Sequence, residues 1–555
     1  MELVGRRNQQ RISIRFPQMC EVFFLSFAPR QLLCRIDRGA VRAGFDSDWL
    51  VRRRATSANT GLGQPVMNNP DSPARFAIPV SSGILTASRD ALQFQANGVV
   101  RQGCAFAISF YKDQISQPLL RSKLTMKENN YWLETATIPH ADPSCAFPDS
   151  VDVAVIGSGV TGLSAARTLA KRGMHTAVLE AETFGWGASS RNGGMVLTGM
   201  KLPVATLIGR YGREKVRTMY AASLASIDCV EQIVREEKIE CDFSRCGHLE
   251  VACKQAHFDS YAESAELIER EFNHKLRIVP KAALRDEVGS DIYYGGLVDE
   301  TSAGLNPGRY VAGLAAAAQG SGAAMFDHTP VTRVRRSGSN GGQRFHLSTP
   351  RGSITAREVV LASGGYTTEA TPALRKKIIP IGSYIIVTQI LEEDLARELS
   401  PKNRMIYDSK HFLYYYRLTP DRRMLFGGRA AFFPETENTV RESAKILRRG
   451  MIRVFPQLSK INVEFVWGGT LDFAIDVMPH TGRSDGMYYS VGYAGHGVAI
   501  GTYLGTKIAG VIRGEPNDIP FDGIPFPTPP PGLRSGHTWA LPLAGAYYKF
   551  LDWVS

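Results

Sequence analysis

From Asp152 onward the apolar and polar positions fall into regular periods. "VAVIG" is a short β-branched run, the signature of a buried strand. "GLSAARTLAKRG" carries helical spacing and is closed by Gly173. "HTAVLE" is a second strand, so residues 152–180 predict one βαβ unit. Long helical patterns follow over 204–239 and 257–273, and "GRYVAGLAAAAQGSG" predicts another helix. "PVTRVRR" and "RFHLSTPRGSITAREVVLASGG" predict hairpin strands that end in a buried one. A β-rich region over 370–460 contains "GSYIIVTQI" and two strands around the Pro-Asp turn of "FLYYYRLTPDRRMLFGGR". "MYYSVGYAGHGVAIGTYLGTKIAGVIRG" closes the body as strand, Gly-rich turn and helix.

The flanks are different. Residues 1–125 show little sustained period, and Met126 opens a polar, Pro-containing lead-in over 126–150. We expect the natural start at Met126, with 1–125 an over-extended reading frame or a disordered leader; a real accessory segment is the alternative. Near the other end, "IPFDGIPFPTPPPG" is too Pro-rich for regular structure. In the tail, Leu543, Tyr547, Phe550 and Val554 share one helical face. That face is expected to pack on the body or on a second subunit, with a membrane surface as the lesser reading.

Charge changes the picture only in the leader. The chain of 555 residues has a formal net charge of +12. Residues 1–125 hold 17 Lys and Arg against 8 Asp and Glu, and the remaining 430 residues hold 48 against 45. The body therefore offers no electrostatic case for a nucleic-acid partner. No apolar run is long enough to span a bilayer, and a cleavable signal is not evident. The eight cysteines form no paired framework. Cys241, Cys246 and Cys253, with His248 between them, lack the close pair that a zinc site wants, so no metal is expected. Reduced thiols and a cytoplasmic location follow.

The first βαβ unit carries a GxGxxG motif at Gly157, Gly159 and Gly162. The first glycine permits a tight strand-to-helix turn, the second lets backbone approach a pyrophosphate, and the third lets the helix pack on the strand. The helix N-terminus adds oriented N–H groups and partial positive charge. Glu180 ends the second strand, where a carboxylate accepts hydrogen bonds from ribose hydroxyls. Alone the motif does not choose between FAD and NAD. Three further stretches bear on that choice. "FGWGASSRNGGM" holds hydroxyls for phosphate oxygens and glycines for close passage past a flat ring, though an ordinary turn reads the same way. "VVLASGGY" returns backbone beneath a diphosphate. The turn at Gly495 opens a second helix N-terminus, whose dipole stabilises an anionic reduced ring.

Together with "LYYYRLTPDRRMLFGGR" and "WGGTLDFAIDVMPHTGR", these stretches resemble the D-amino-acid-oxidase-like family of FAD-dependent oxidoreductases, and within it the γ-glutamylputrescine oxidoreductase branch. The likeness covers about 130–555 and leaves out 1–125. It implies a mixed α/β (α+β) fold, with a discontinuous Rossmann-like FAD-binding domain (151–200, 300–366 and 465–515) and an antiparallel-sheet substrate domain (201–299 and 367–464). A Pro-rich segment and helix over 516–555 complete it. Carried over by motif, Gly157, Ser158, Gly159, Val160, Thr161, Gly162, Glu180, Ser189, Ser190, Arg191, Asn192, Gly193, Gly194 and Met195 contact FAD. Val331 lends backbone to the adenine. Ser363 and Gly364, and Gly495, His496, Gly497 and Val498, complete the cofactor site. The loop "ASSRNGG" has neither His nor Cys, and no Cys follows Cys253, so FAD is expected to be non-covalent.

The implied chemistry is oxidation of a C–N bond in a small amine or amino acid. Hydride passes to flavin N5, the imine hydrolyses, and O2 or another acceptor takes the electrons; O2 yields H2O2. Candidates for substrate contact and catalysis are Tyr415, Arg429 and His496. Tyr415 points opposite to Tyr414 and Tyr416 along one strand, and either face can be core. Arg417 and Arg429 are of the type that clamps a carboxylate, and surface pairing is the alternative. His496 reads more readily as a turn residue than as a catalyst, and Trp467 as a ring wall or core. Competing readings are a flavin dehydrogenase serving a quinone or carrier, an RNA-modifying flavoprotein, and a non-catalytic flavin-binding scaffold. Oligomeric state is open.

Overall fold

The structure is a computed structural model. It describes residues 126–142, 144–339, 342–428, 437–536 and 538–554. The leader 1–125 and Arg429 lie outside the described residues.

The lead-in is not a polar approach alone. Lys127 bridges to Phe465, and helix α1 (Tyr131–Glu134) buries Tyr131 and Trp132, the latter to 0 % exposure. Then comes the expected βαβ unit of β1 (Ser150–Ile156), α2 (Val160–Lys171) and β2 (Thr176–Leu179). Gly173, at φ +77°, ends α2 as a left-handed residue that only glycine adopts without strain. A short strand, β3 (Met195–Val196), follows.

The helical stretch predicted as one element over 204–239 is two, α3 (Val204–Tyr211) and α4 (Arg213–Glu236). Gly212, at φ +78°, breaks it. Next are β4 (His248–Val251), α5 (Tyr261–Phe272), β5 (Arg277–Pro280), β6 (Gly295–Asp299) and β7 (Ala303–Gly304). Helix α6 (Pro307–Gly320) has Pro307 in its first turn and Asn306 as a side-chain N-cap. It leads to β8 (Ala324–Phe326) and to the meander β9 (Arg333–Ser339), β10 (Gly342–Thr349) and β11 (Gly352–Leu361).

The later half alternates β12 (Ile379–Ile390), β13 (Met405–Asp408), β14 (Tyr414–Leu418) and β15 (Arg423–Gly428) with helix α7 (Glu437–Val454). Helix α7 was not foreseen within the β-rich region. It packs Val440, Ala444, Leu447, Met451 and Val454 on the sheet, a helical stripe. After it come β16 (Val463–Phe473), β17 (His480–Ser484), β18 (Met487–Val491), α8 (Gly497–Ile512) and the tail helix α9 (Leu541–Val554).

Two large sheets result. The first runs β17-β18-β11-β1-β2-β8, with β10 and β9 continuing off β11. Its central pairs β18–β11, β11–β1, β1–β2 and β2–β8 are parallel. This is the Rossmann-like part, buried on both faces as parallel sheets are. The second runs β16-β12-β15-β14-β13-β4-β6-β5 and is antiparallel except at β13–β4. Strand β16 pairs with β12 from Phe473 back to Val463, so 465–473 hydrogen-bonds within the second sheet.

Side chains alternate between the faces of this second sheet. The back face, with Tyr416, Phe426, Ile406 and Val251, forms a core under α7. The front face, with Ile385, Val387, Leu425, Phe465 and Trp467, packs against Tyr131 and Trp132 of the lead-in.

Of the two expected packings of the tail helix, on the body or on a second subunit, the first is not seen. Leu543 and Phe550 are 68 % and 54 % exposed, so the predicted face does not pack on the body. The helix is anchored instead by buried Leu541 and by Asp552, which accepts from the backbone of His411 and Phe412. Among the described residues no helix is long and apolar enough to cross a membrane.

Candidate functional site

The C-terminal edge of β1 turns into α2 through Gly157, at φ +97°. A Cβ on Gly157 would lie 2.8 Å from the Ala362 carbonyl oxygen, and one on Gly162 would run into the Gly157 carbonyl. Only backbone fits in this turn. Gly159 is the N-cap of α2, and a Cβ there would meet Ser189 Oγ at 2.8 Å. Ser189 Oγ accepts from Val160 N at 3.0 Å and so binds the second loop to the helix start.

Glu180, half-buried at the end of β2, accepts from Ser158 N at 2.8 Å and from Ser158 Oγ at 2.6 Å. Its other oxygen accepts from Glu182 N at 3.0 Å. The carboxylate thus sits beside the glycine turn, at the edge where the parallel strands end. Val331 is buried in the sheet core, which leaves only its backbone to face a ligand.

The loop 184–195 is held from several sides. Asn130 Nδ2 donates to Ser190 O at 2.8 Å, and Trp132 Nε1 donates to Asn192 O at 2.9 Å. Arg191 lies 4.3 Å over the Trp186 ring and donates to the carbonyls of Trp186 and Gly468. Asn192 donates to Ala188 and Ser189 carbonyls and accepts from Gly194 N. The side chains of Arg191 and Asn192 therefore shape the loop. Ser189 and Met195 are partly exposed, whereas Gly193 and Gly194 are buried, under Tyr415 and against Leu305 O respectively. Met195 belongs to the two-stranded β3–β7 pair, opposite Gly304.

Two further segments meet this trench. Ser363 and Gly364 end β11, with Gly364 at φ +50° and Ser363 Oγ 2.9 Å from Thr367 Oγ1. The Gly-rich turn runs through Ala494 and Gly495, both left-handed, to His496, the half-exposed N-cap of α8. Gly497 and the buried Val498 begin that helix. Thr161 Oγ1 lies 2.7 Å from Tyr493 OH and ties the first turn of α2 to this second turn. A Cβ on Gly505 would strike the Thr161 carbonyl oxygen, so the two helices approach at glycine distance and their N-termini converge.

Between these segments lies Asp472, which the sequence reading did not single out. It accepts from Gly492 N at 2.6 Å, and a Cβ on Gly364 would be 3.7 Å from its Oδ2. Burial raises its carboxyl to about 6, against the backbone hydrogen bonds that lower it.

The roof is the front face of the antiparallel sheet. Tyr415 is half-exposed there, its ring 3.1 Å from where a Cβ on Gly193 would stand and its hydroxyl 3.2 Å from Ser383 Oγ. Tyr416 is fully buried on the back face, stacked on Phe426 at 5.5 Å. The alternation is as the strand period predicts. Arg417 is not a carboxylate clamp: its buried guanidinium donates to the carbonyls of Gly194 and Leu305. Trp467 is buried, and its Nε1 donates to Arg191 O at 3.1 Å.

A crevice of about 890 Å³ opens beside the loop, between Trp186, Arg191, Tyr366, Thr470 and the lead-in residues Asn130 and Leu133. Among the described residues no cluster of His, Cys, Asp or Glu is arranged to hold a metal.

The trench fits an extended dinucleotide. Its walls are backbone at positions where a side chain would collide. The buried Ser190 Oγ has no hydrogen-bond partner among the described residues, a donor suited to an acceptor oxygen.

Comparison with known proteins gives the same direction. Residues 152–510 match the DAO family model, described as FAD dependent oxidoreductase. A probable oxidoreductase, OrdL, of Haemophilus influenzae is 31% identical over 76% of this chain and 97% of its own. The γ-glutamylputrescine oxidoreductase of Escherichia coli is 32% identical over 72% of this chain and 92% of its own. Among solved structures, glycine oxidase of Geobacillus kaustophilus superposes with a TM-score of 0.57 at 19% identity, over 69% of this chain and 99% of that one, a likeness of fold.

Proposed function

The chain belongs to the FAD-dependent oxidoreductase family, with FAD as its cofactor, and on that premise we propose that it oxidises the C–N bond of an amine or amino acid. The observation that carries the reading is the meeting of Tyr415 with Gly193: a partly exposed phenol of the antiparallel sheet lies against the 184–195 cradle loop. The relative named γ-glutamylputrescine oxidoreductase supports an amine.

We assign the Gly157–Gly162 turn and the start of α2 to the diphosphate, Glu180 to the ribose and the Val331 backbone to the adenine. Ser189, Ser190, Gly193, Gly194, Met195, Ser363 and Gly364 line the remainder. Arg191 and Asn192 act by holding the loop. The N-terminus of α8, from Gly495 through His496 and Gly497 to Val498, faces the end where negative charge develops, which helix polarity favours. The loop carries no His or Cys, which supports non-covalent binding.

When bound, FAD supplies the two-electron acceptor for the hydrogen on the carbon beside nitrogen. The protein orients that carbon and keeps water from the site. The neutral amine loses two electrons and two protons to become an imine, and water splits the imine into a carbonyl compound and ammonia, or an amine where the nitrogen carries a second carbon. Tyr415, its hydroxyl oriented by Ser383, positions the substrate chain against Gly193. We propose O2 as the final acceptor, giving H2O2.

The test is a product assay on FAD-loaded full chain in air, with γ-glutamylputrescine, putrescine, sarcosine, glycine, proline and D-alanine. Carbonyl product and peroxide in equal amounts are expected with at least one. Turnover only with an added quinone removes O2 from the account, and no consumption under either condition removes amine oxidation.

A further inference from the structure

Three front-face residues stand in one row across adjacent strands. Tyr415 pairs directly with Tyr407 between β14 and β13. Tyr407 pairs directly with Glu250 between β13 and β4. Directly paired residues project to the same face, with Cβ atoms about 4.5–5.5 Å apart. The row therefore starts at Tyr415, against the cradle loop, and ends about 10 Å away, two strand spacings on, at a carboxylate. All three side chains are half-exposed, whereas Tyr416, Ile406 and Leu249 beside them in sequence are buried. The row keeps part of its surface, with Tyr407 and Glu250 largely enclosed.

Its far end is acidic and aromatic. Tyr261 OH donates to Glu250 Oε1 at 3.2 Å, and Tyr407 OH lies at the limit of hydrogen bonding, 3.5 Å from Oε2. Tyr407 OH is also 3.2 Å from Nε2 of the buried His248, whose burial holds the imidazole to its neutral form. Asp299 accepts from Thr198 Oγ1 at 2.5 Å and pairs with His274 at 2.9 Å. Three buried carboxylates nearby have close side-chain partners: Glu287 has Arg404, Asp408 has Lys410 and Asp299 has His274. Among the described residues Glu250 forms no such close pair; burial raises its carboxyl above the usual range, and Lys201 opposes that electrostatically. Carboxylate with tyrosine rings and hydroxyls is the donor set that receives an alkylammonium. The arginine of this region that would favour a carboxylate end instead, Arg417, is engaged with backbone.

We propose that Glu250, framed by Tyr407 and Tyr261, binds a distal ammonium group of the substrate, so that the preferred substrates are amines carrying a second positive charge remote from the carbon that is oxidised. This rests on the amine-oxidation reading. The distal charge shares the carboxylate with Lys201 and sets the chain along the Tyr415–Tyr407 row. Glu250 is a positioning residue, remote from the reacting atoms.

The experiment compares FAD-loaded full chain with its Glu250→Gln and Glu250→Asp variants. Putrescine and cadaverine are the probes, against butylamine and pentylamine, which lack the distal charge. Two readouts are taken: the amine concentration giving half-maximal anaerobic bleaching, and the rise in melting temperature each amine causes. Wild type is expected to bind the diamines roughly tenfold or more tightly than the monoamines, the scale of one charge-assisted hydrogen bond. Glu250→Gln is expected to erase that ratio while leaving the monoamines and the limiting bleaching rate unchanged. Glu250→Asp retains part of it. A flavin spectrum and unliganded melting temperature like wild type show that a variant is folded. Equal handling of both amine classes by wild type, or a ratio that survives in Glu250→Gln, overturns the proposal while amine oxidation stands. If no amine bleaches the flavin but the diamines still raise the melting temperature through Glu250, the ammonium site stands and the oxidation reading fails.

Discussion

Ser158 Oγ donates to Glu180 Oε2 across 2.6 Å, and Ser158 N donates to the same oxygen at 2.8 Å. The end of the second strand thereby fixes the conformation of the glycine turn. One carboxylate holds the turn in place and presents charge at its rim.

Glu180→Gln is therefore expected to weaken FAD binding by about 10–100-fold, the scale of a hydrogen bond to a charged group. The measurement is fluorescence titration of flavin-stripped protein with FAD. Affinity within a factor of about two of wild type would separate Glu180 from the cofactor site.

Gly162→Ala places a methyl against the Gly157 carbonyl. Helix α2 must then move off β1, at about 1–3 kcal/mol for an overpacked contact. The variant is expected to purify without flavin and to unfold at lower urea. A yellow, equally stable Gly162→Ala protein would contradict the packing described here.

Trp132 is fully buried, and its indole N–H reaches the Asn192 carbonyl on the cradle loop. Trp132→Ala is expected to cost about 3–5 kcal/mol of stability by cavity formation, read in urea unfolding. Trp132→Phe keeps most of the volume and loses the hydrogen bond, so its effect is expected mainly on FAD affinity.

Burial raises Asp472 from 3.8 to about 6 in the folded state. The folded protein holds this proton more tightly than the unfolded chain. The associated stability is present below about pH 4 and is lost as pH rises through about 6, where the charged form costs about 3 kcal/mol. Asp472→Asn retains an acceptor for Gly492 N without that charge. Its stability relative to wild type, measured by urea unfolding of flavin-free protein, is expected to improve as pH rises from about 4 to about 7. A difference that does not change with pH would place the ionisation elsewhere.

The glycine turn was legible because its physics is local: a β-branched strand, three glycines at fixed spacing, and a carboxylate ending the next strand. The alternation of Tyr414, Tyr415 and Tyr416 was legible from strand period alone. Helix α7 could have been found, since Val440, Ala444, Leu447, Met451 and Val454 recur at helical spacing; the β-rich neighbourhood hid it. The lead-in gave no period, because α1 is a single turn and its two aromatics are buried by distant partners. The Tyr407–Glu250 relationship needed the parallel pairing of β13 with β4, strands more than a hundred residues apart, which no local pattern reveals. Arg417 shows the converse: its residue type fitted a substrate clamp, but the carbonyls of Gly194 in the cradle loop and of Leu305 take its hydrogen bonds.

Amine oxidation is the central claim, and anaerobic mixing tests it most directly. FAD-loaded full chain would be mixed with γ-glutamylputrescine, putrescine, sarcosine, glycine, proline and D-alanine in turn, while the visible flavin band is followed. Bleaching by at least one amine, reversed on readmitting air, is the result predicted. Bound FAD that none of them bleaches would contradict the account.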